Sequence, residues 1–465
     1  MKILLVFPPI LGEERYGKLA EAGSYLPPLG LLYLASAIRD RHDVKIIDGG
    51  VLDITVEDVG KEIEVWKPDV VGVTAFTPTL YRAIAICNLA KKINPGIITV
   101  MGGPHPTALP EESIKEENVD IVVVGEGEKT LRELLDRIET DQELSSVKGI
   151  YYKKNGTVFS TPPQERILNL DQLPLPARDL VDMSIYRPSV MHYKNIPAFS
   201  IMCGRGCPHR CTFCSCAKVF RGRVTMRSPE NVISEVKFLI EKYGAKEIMV
   251  WDDTFGLIKN WTMRFCELIK PLKIAWSAWM RVDLADKEVL QKMSESGCWH
   301  ISYGVESGNQ KVLDTIKKGF TIEDVKNAFK WTHEAGMEAR GTFILGLPND
   351  TWETMMDTIN IAIEIKADYA QFQLLTPYPG TELWDTIEEY GEFTTRDFSK
   401  YTIWFPVFVP RGLTREKLEE AHRLAYRRFY FRPQYIWQRL SRIRTWLDIK
   451  RNLIGLNSLF KYFKK

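Results

Sequence analysis

Short apolar runs with strand character alternate with amphipathic helical stretches along this chain, and the alternation runs twice. That pattern restricts the fold more than any other feature. In residues 1–145 the strand-like runs fall at 2–7, 44–47, 70–74, 97–101 and 121–124, with helical periodicity at 28–39, 81–93 and 130–138. Short apolar strands separated by helices pair in parallel, with helices on both faces of the sheet. The expectation is an α/β, doubly wound (Rossmann-like) domain. Its ligand crevice lies at the carboxyl ends of the strands. Gly72, Thr74, Thr77, Thr79, Gly102, Gly103, Gly125 and Gly127 fall in or beside the loops there.

The pattern restarts in residues 196–390. Six strand candidates fall at 198–202, 247–251, 274–279, 300–305, 339–345 and 370–375, separated by helical segments. Six βα units of this length suit a partial, TIM-like (β/α)6 barrel with active residues at the carboxyl ends of its strands. Residues 146–195 read as a linker, with a hairpin around Asn155-Gly156 and then the extended run Pro174-Leu175-Pro176. Residues 391–465 read as an α-helical basic region.

Composition then narrows the class. Of the 465 residues, 45% are hydrophobic and 26% charged, which suits buried cores and not a disordered chain. The net charge of +2 is near balance and by itself excludes no partner. Apolar runs fall short of the roughly 18–20 residues that span a bilayer. The start of the chain is too short and too quickly broken by Pro8 for a signal peptide. A cytoplasmic chain is expected, and in a reducing compartment clustered cysteines serve as metal ligands more often than as disulfides.

Three of the eight cysteines, Cys87, Cys266 and Cys298, stand alone in apolar settings and read as small core side chains. The other five lie between Cys203 and Cys216, directly after the first strand of the second unit. Cys207, Cys211 and Cys214 have C-x3-C-x2-C spacing. Thiolates on one tight loop can converge on an iron–sulfur cluster. Three ligands hold three irons and leave the fourth open. The competing reading is a zinc knuckle built from four of the five cysteines. Its place at the first strand end of a barrel argues against it. Cys203 and Cys216 read as bystanders.

This loop, with aromatic Phe213 before its last cysteine, resembles that of the radical S-adenosylmethionine (SAM) superfamily. The resemblance implies a 4Fe–4S cluster on Cys207, Cys211 and Cys214, whose open iron chelates SAM. Reductive cleavage of SAM then gives a 5′-deoxyadenosyl radical that abstracts a substrate hydrogen. It also implies SAM-orienting roles at successive strand ends. These fall on Asp252 and Asp253, on Arg281, on Gly304, Glu306 and Ser307, and on Gly346. Taken singly, these elements have plain alternatives: Asp252-Asp253 as a solvated strand end, and Glu306-Ser307 as a helix cap.

The first domain resembles the cobalamin-binding domain fused to many radical SAM enzymes. The matching segments are Pro27-Pro28-Leu29-Gly30-Leu31, Asp48, Thr74 through Thr79, Gly102-Gly103-Pro104-His105 and Gly125-Glu126-Gly127-Glu128. The resemblance implies that Thr74, Thr77, Thr79, Gly102, Gly103, His105, Gly125 and Glu126 contact a corrinoid. Small residues let backbone N–H groups approach its phosphate and amides. The Asp-x-His-x-x-Gly ligand motif of other cobalamin domains is missing. Asp40-Arg41-His42 fits it only superficially, since position 45 is Lys, and His42 reads as a surface residue. Methylthiotransferases share the layout, but their first domain supplies three cluster cysteines and this one has only Cys87.

Residues 411–465 carry fifteen Lys and Arg against four Asp and Glu, interleaved with aromatics. Such a tail suits an anionic membrane surface and would also suit RNA, while a packing helix with solvated arginines is the plain alternative. The tail resembles that of hopanoid-modifying enzymes and of the anaerobic magnesium-protoporphyrin ester cyclase. That likeness points to a small-molecule or lipid substrate, a peripheral place at the inner membrane surface, and no nucleic acid. The activity implied is cobalamin-dependent methylation of an unactivated carbon, with a ferredoxin or flavodoxin as reductant. Radical cyclisation, oxidation or rearrangement is the second reading, and a non-catalytic iron–sulfur or corrinoid sensor the third.

Overall fold

The computed structural model describes residues 1–220 and 222–464. Strands β1 (Lys2–Phe7), β2 (Asp43–Asp48), β3 (Val70–Thr74), β4 (Ile98–Gly102) and β5 (Ile121–Val123) form a parallel sheet in the order β2-β1-β3-β4-β5. Side chains alternate between its faces. Leu4, Val6, Val71 and Val73 pack under α2 (Val56–Trp66) and α3 (Leu80–Ile93). Ile3, Leu5 and Val100 pack under α1 (Leu29–Ile38) and α4 (Gly127–Glu139). Both faces are buried, as expected for parallel strands this apolar. The order reverses at β1, which places a crevice at the carboxyl ends of β1 and β3.

The hairpin of β6 (Ile150–Lys154) and β7 (Thr157–Ser160) is not linker. It pairs antiparallel with β5 and extends the sheet to seven strands. The pairing satisfies backbone groups that a bare β5 edge would leave open.

In the second unit, β8 (Ala198–Ile201), β9 (Glu247–Val250), β10 (Ala275–Met280), β11 (Cys298–Glu306), β12 (Glu338–Leu345) and β13 (Tyr369–Leu374) lie side by side in chain order, all parallel. Helices α5 (Pro229–Tyr243), α6 (Lys259–Ile269), α7 (Lys287–Glu295), α8 (Ile322–Glu334) and α9 (Trp352–Glu364) separate the strands in sequence. Along β11, Ile301, Tyr303 and Val305 join the apolar core, and the Tyr303 hydroxyl meets Thr332 of α8 at 2.8 Å. The opposite parity, His300, Ser302 and Gly304, faces the lumen. β8 and β13 do not pair, so this partial barrel is open on one side.

Residues 391–410 hold no α-helix, only a single 3-10 turn at Phe398–Lys400. Gly391–Phe393 and Phe408–Pro410 form a short antiparallel ladder, and Phe398, Tyr401 and Val407 join the core of the first domain. Helices α10 (Arg415–Tyr430), α11 (Pro433–Ser441) and α12 (Trp446–Phe463) follow. Tyr426 and Tyr430 donate to the β13 carbonyls of Phe372 and Ala370, at 3.2 and 2.7 Å, fixing α10 on the edge strand. Several tail arginines turn inward. Arg451 is buried and donates to the Val190 carbonyl at 2.9 Å, and Arg439 pairs with Glu338 at 3.4 Å. Trp437 and Trp446 stay 72% and 76% exposed. Among the described residues no helix is long and apolar enough to cross a membrane.

Candidate active site

The cysteine loop leaves β8 and is tied down at each step. Asp252 accepts the Cys203 N–H at 2.7 Å, and Asp253 accepts the Gly206 N–H at 2.8 Å. Gly206 sits at φ +90°, and a Cβ there would lie 2.1 Å from the Arg223 carbonyl oxygen, so the turn requires glycine. The Thr212 N–H donates to the Ile316 carbonyl, and the Thr212 carbonyl accepts from the Leu383 N–H, at 3.1 and 2.8 Å. The loop therefore bends over the barrel mouth. There the Thr254 hydroxyl donates to Cys207 Sγ at 3.2 Å, and Arg281 Nη1 lies 3.6 Å from Cys211 Sγ. Cys214 is exposed, and Cys203 is buried in the barrel core.

A charged frame surrounds these thiols. Arg281 forks onto Asp283 at 2.9 and 3.1 Å and donates to the Lys318 carbonyl at 2.6 Å. Lys318 Nζ pairs with Glu306 at 2.7 Å, both nearly buried. Glu306 takes a φ of +68°, and a Cβ on Gly304 would fall 2.6 Å from its carboxylate. Two expected SAM residues lie elsewhere. Ser307 is buried, meets Thr358 of α9 and accepts the Asn309 N–H, so it serves the start of a helix. Gly346 donates its N–H to Asp350 and packs beneath Leu418 of α10. Asp252 is buried and holds the loop from behind, while Asp253 is exposed beside the mouth.

Facing the barrel, the carboxyl edge of the first sheet forms one wall of a cleft of about 410 Å³. Thr74, Gly102, Gly103, Gly125 and Glu126 line that wall, and Met202, Trp251 and Asp253 line the barrel side. A second cavity of about 760 Å³ reaches Cys211 and Cys214. The two share Thr107, Gly125, Glu126 and Val219, so they adjoin between the first domain and the segment that follows the cysteine loop. Gly125 has φ +83°, and a Cβ there meets no atom within 4 Å and would project into open space.

Thr77, Thr79 and His105 lie behind this cleft. The Thr77 hydroxyl meets His105 Nδ1 at 3.2 Å, Thr79 caps the Phe76 N–H, and the His105 ring packs edge-on to Phe398. Burial pushes the His105 imidazole down to about 4, so it is neutral at pH 7. His42 is not a surface residue: it is buried at the amino end of β2, opposite the cleft. Among the described residues no histidine lines the cleft.

Sequence reasoning assigned no role to Lys318, to Thr254, or to Arg205, which bonds to Glu126 and Glu128 at 2.7 and 2.5 Å. The signals available were the place of Arg205 inside the cysteine segment and of Thr254 at a strand end, directly after Asp252-Asp253.

Comparison with known proteins decides the family. The B12 binding domain family matches residues 17–135, and the radical SAM superfamily matches residues 201–362. An uncharacterised methyltransferase of Pyrococcus horikoshii is 40% identical over 98% of both chains. The chain belongs to the B12-binding radical SAM family. This radical SAM enzyme is also 31% identical to the anaerobic magnesium-protoporphyrin IX monomethyl ester cyclase of Rubrivivax gelatinosus, over 94% of this chain and 78% of that one. The radical SAM methyltransferase TsrM from Kitasatospora setae shares the fold, with a TM-score of 0.72 at 16% identity over the whole of both chains. The cofactors of the family are a 4Fe–4S cluster, SAM and cobalamin.

The residues present fit that set. Among the described residues no three His, Cys, Asp or Glu close around one point, as a single zinc ion requires. A cluster several irons wide spreads its thiolates further apart. The cleft, with bare glycine on the sheet side, suits a flat ligand laid against backbone.

Proposed function

We propose that this enzyme is a cobalamin-dependent radical methylase that transfers a methyl group to an unactivated carbon of an apolar substrate. One observation carries the reading: the cavity that reaches Cys211 and Cys214 adjoins the glycine-walled cleft, with Gly125 and Glu126 lining both. When bound, the cofactors supply a SAM-derived radical and a methyl donor. Cys207, Cys211 and Cys214 would hold the cluster. Thr254 and Arg281 place N–H and O–H donors against two of those sulfurs, which eases electron transfer to the site. Lys318 holds Glu306 at the mouth, where the pair can orient the amino and carboxylate groups of SAM. Gly102, Gly103, Gly125 and Thr74 would bear the corrinoid. A small iron–sulfur or flavin electron carrier of the ferredoxin or flavodoxin type would supply the electron.

Anaerobic reconstitution with iron, sulfide and hydroxocobalamin tests the reading. About four irons and one cobalt per chain, with a product heavier by one CH2, support it. Four irons, no cobalt and a product of lower mass would favour the second reading, oxidative ring closure, to which the likeness to the protoporphyrin ester cyclase lends weight.

The apolar nature of the substrate is supported by the outer face of α11 and α12. Trp437, Leu440, Trp446, Leu453 and Phe460 are all exposed there, beside basic side chains. Such a face suits contact with an anionic lipid surface from which a lipid or isoprenoid-like substrate is drawn.

A further inference from the structure

The lumen of the barrel holds an arginine that the proposed chemistry leaves unused. Arg340 lies on β12 and is 1% exposed. Its strand register places it level with Ser302 of β11, which is level with Trp279 of β10. Ser302 is small, so the guanidinium reaches across it and lies over the Trp279 ring at 5.1 Å. One N–H bonds to the Gln371 side chain, while Nε and Nη1 have no partner. The titratable groups facing it are Tyr369, Tyr426 and Tyr430 and the buried imidazoles of His192 and His300, not carboxylates. The two nearby acids are engaged elsewhere, Glu338 by Arg439 and Asp368 by Arg442. Burial lowers Arg340 to about 10, still charged at neutral pH.

Arg340 is not walled in by packing. It borders a cavity of about 280 Å³ between the lumen and the tail helices, lined also by His192, Trp404 and the same tyrosines. Other polar atoms of this interior are equally unpartnered: both ring nitrogens of His192, Nδ1 of His300, and the hydroxyls of Ser200 and Thr342. Buried polar groups are ordinarily satisfied, so such a cluster points to a ligand that completes them. Thr342 stands one lumen position above Arg340, level with Gly304, and the next residue pairs with Glu306 at the mouth. Three residues of strand rise is about 10 Å.

We infer that Arg340 anchors a single oxyanion, a carboxylate or phosphate, on an otherwise apolar and partly aromatic substrate. This rests on the reading of the mouth as the reaction site. An unpaired buried cation is costly unless a counter-charge arrives, and a bound substrate supplies it.

The test needs no cluster. The full chain is titrated by fluorescence with 1-anilinonaphthalene-8-sulfonate and with the neutral N-phenyl-1-naphthylamine, which differ by the sulfonate. The wild type is expected to bind the anion at least tenfold more tightly than the neutral probe, and Arg340→Gln to reduce that ratio to near one. The variant's thermal midpoint should equal or exceed that of the wild type, since it loses an unpaired charge. A wild-type ratio near one, or an unchanged ratio in Arg340→Gln, overturns the proposal. SAM cleavage by the reconstituted wild type is measured separately. Its absence would defeat the functional reading and leave the anion preference to stand or fall on the titration.

Discussion

Arg205 of the cysteine loop closes on Glu128 of the first domain at 2.5 Å, and both side chains are more than nine-tenths buried. Glu126 joins the same guanidinium at 2.7 Å. One side chain thus ties the glycine wall of the cleft to the loop that carries the thiols. Arg205→Met leaves two buried carboxylates without their cation, which costs roughly 3–5 kcal/mol. The variant should unfold at lower denaturant and retain less cobalt after desalting. Wild-type values for both would remove the clamp.

Cys211→Ala should drop bound iron from about four per chain to near zero and abolish SAM cleavage, because two thiolates do not hold a cubane. Cys203→Ala should leave the iron count unchanged, since that thiol is buried in the core. Iron assay and 5′-deoxyadenosine release check both, and equal losses in the two variants would shift the ligand set.

Gly125→Val should separate the two cofactor sites. The added side chain enters the cleft, and the left-handed backbone adds strain of about 1–2 kcal/mol. Cobalt per chain is expected to fall at least tenfold with iron retained. Full cobalt loading would place the corrinoid elsewhere.

His105 gives a pH signature. Its folded value is about 4 against 6.5 unfolded, so between those values the unfolded chain binds a proton that the folded chain does not. Stability from this group is present above pH 6.5 and is lost as pH falls toward 4, in total roughly 3 kcal/mol. His105→Leu should flatten the pH dependence of the denaturation midpoint between pH 5 and 7. An unaltered slope would mean that His105 titrates normally.

Full-length protein should sediment with phosphatidylglycerol vesicles at low salt, and Trp437→Ser with Trp446→Ser should reduce binding several-fold. No sedimentation by the wild type would leave the exposed aromatic face without a lipid role.

The strands, the barrel and the thiol loop were legible because they are written in local periodicity and spacing: all six lumen strands fall within two residues of their expected positions. What joins distant segments was not. Arg340, Lys318 and the Arg205 clamp depend on strand register and on contacts between domains, which no spacing encodes. In one dimension His105 looks like a corrinoid contact and His42 like a surface residue, yet packing hides both. The tail misled differently. Its charge suggested a solvated face, but Arg439 and Arg451 spend theirs inside, against Glu338 and the Val190 carbonyl.

The last helices close the open flank of the barrel and supply Tyr426, Tyr430 and Leu456 to the cavity beside Arg340. On the proposed reading, the segment that shapes the substrate cavity is separate from the loop that would hold the cluster. Exchanging residues 415–463 between relatives would change which molecules are accepted while the reaction stayed the same, so selection can diversify substrates here by redrawing a stopper and leaving the engine alone.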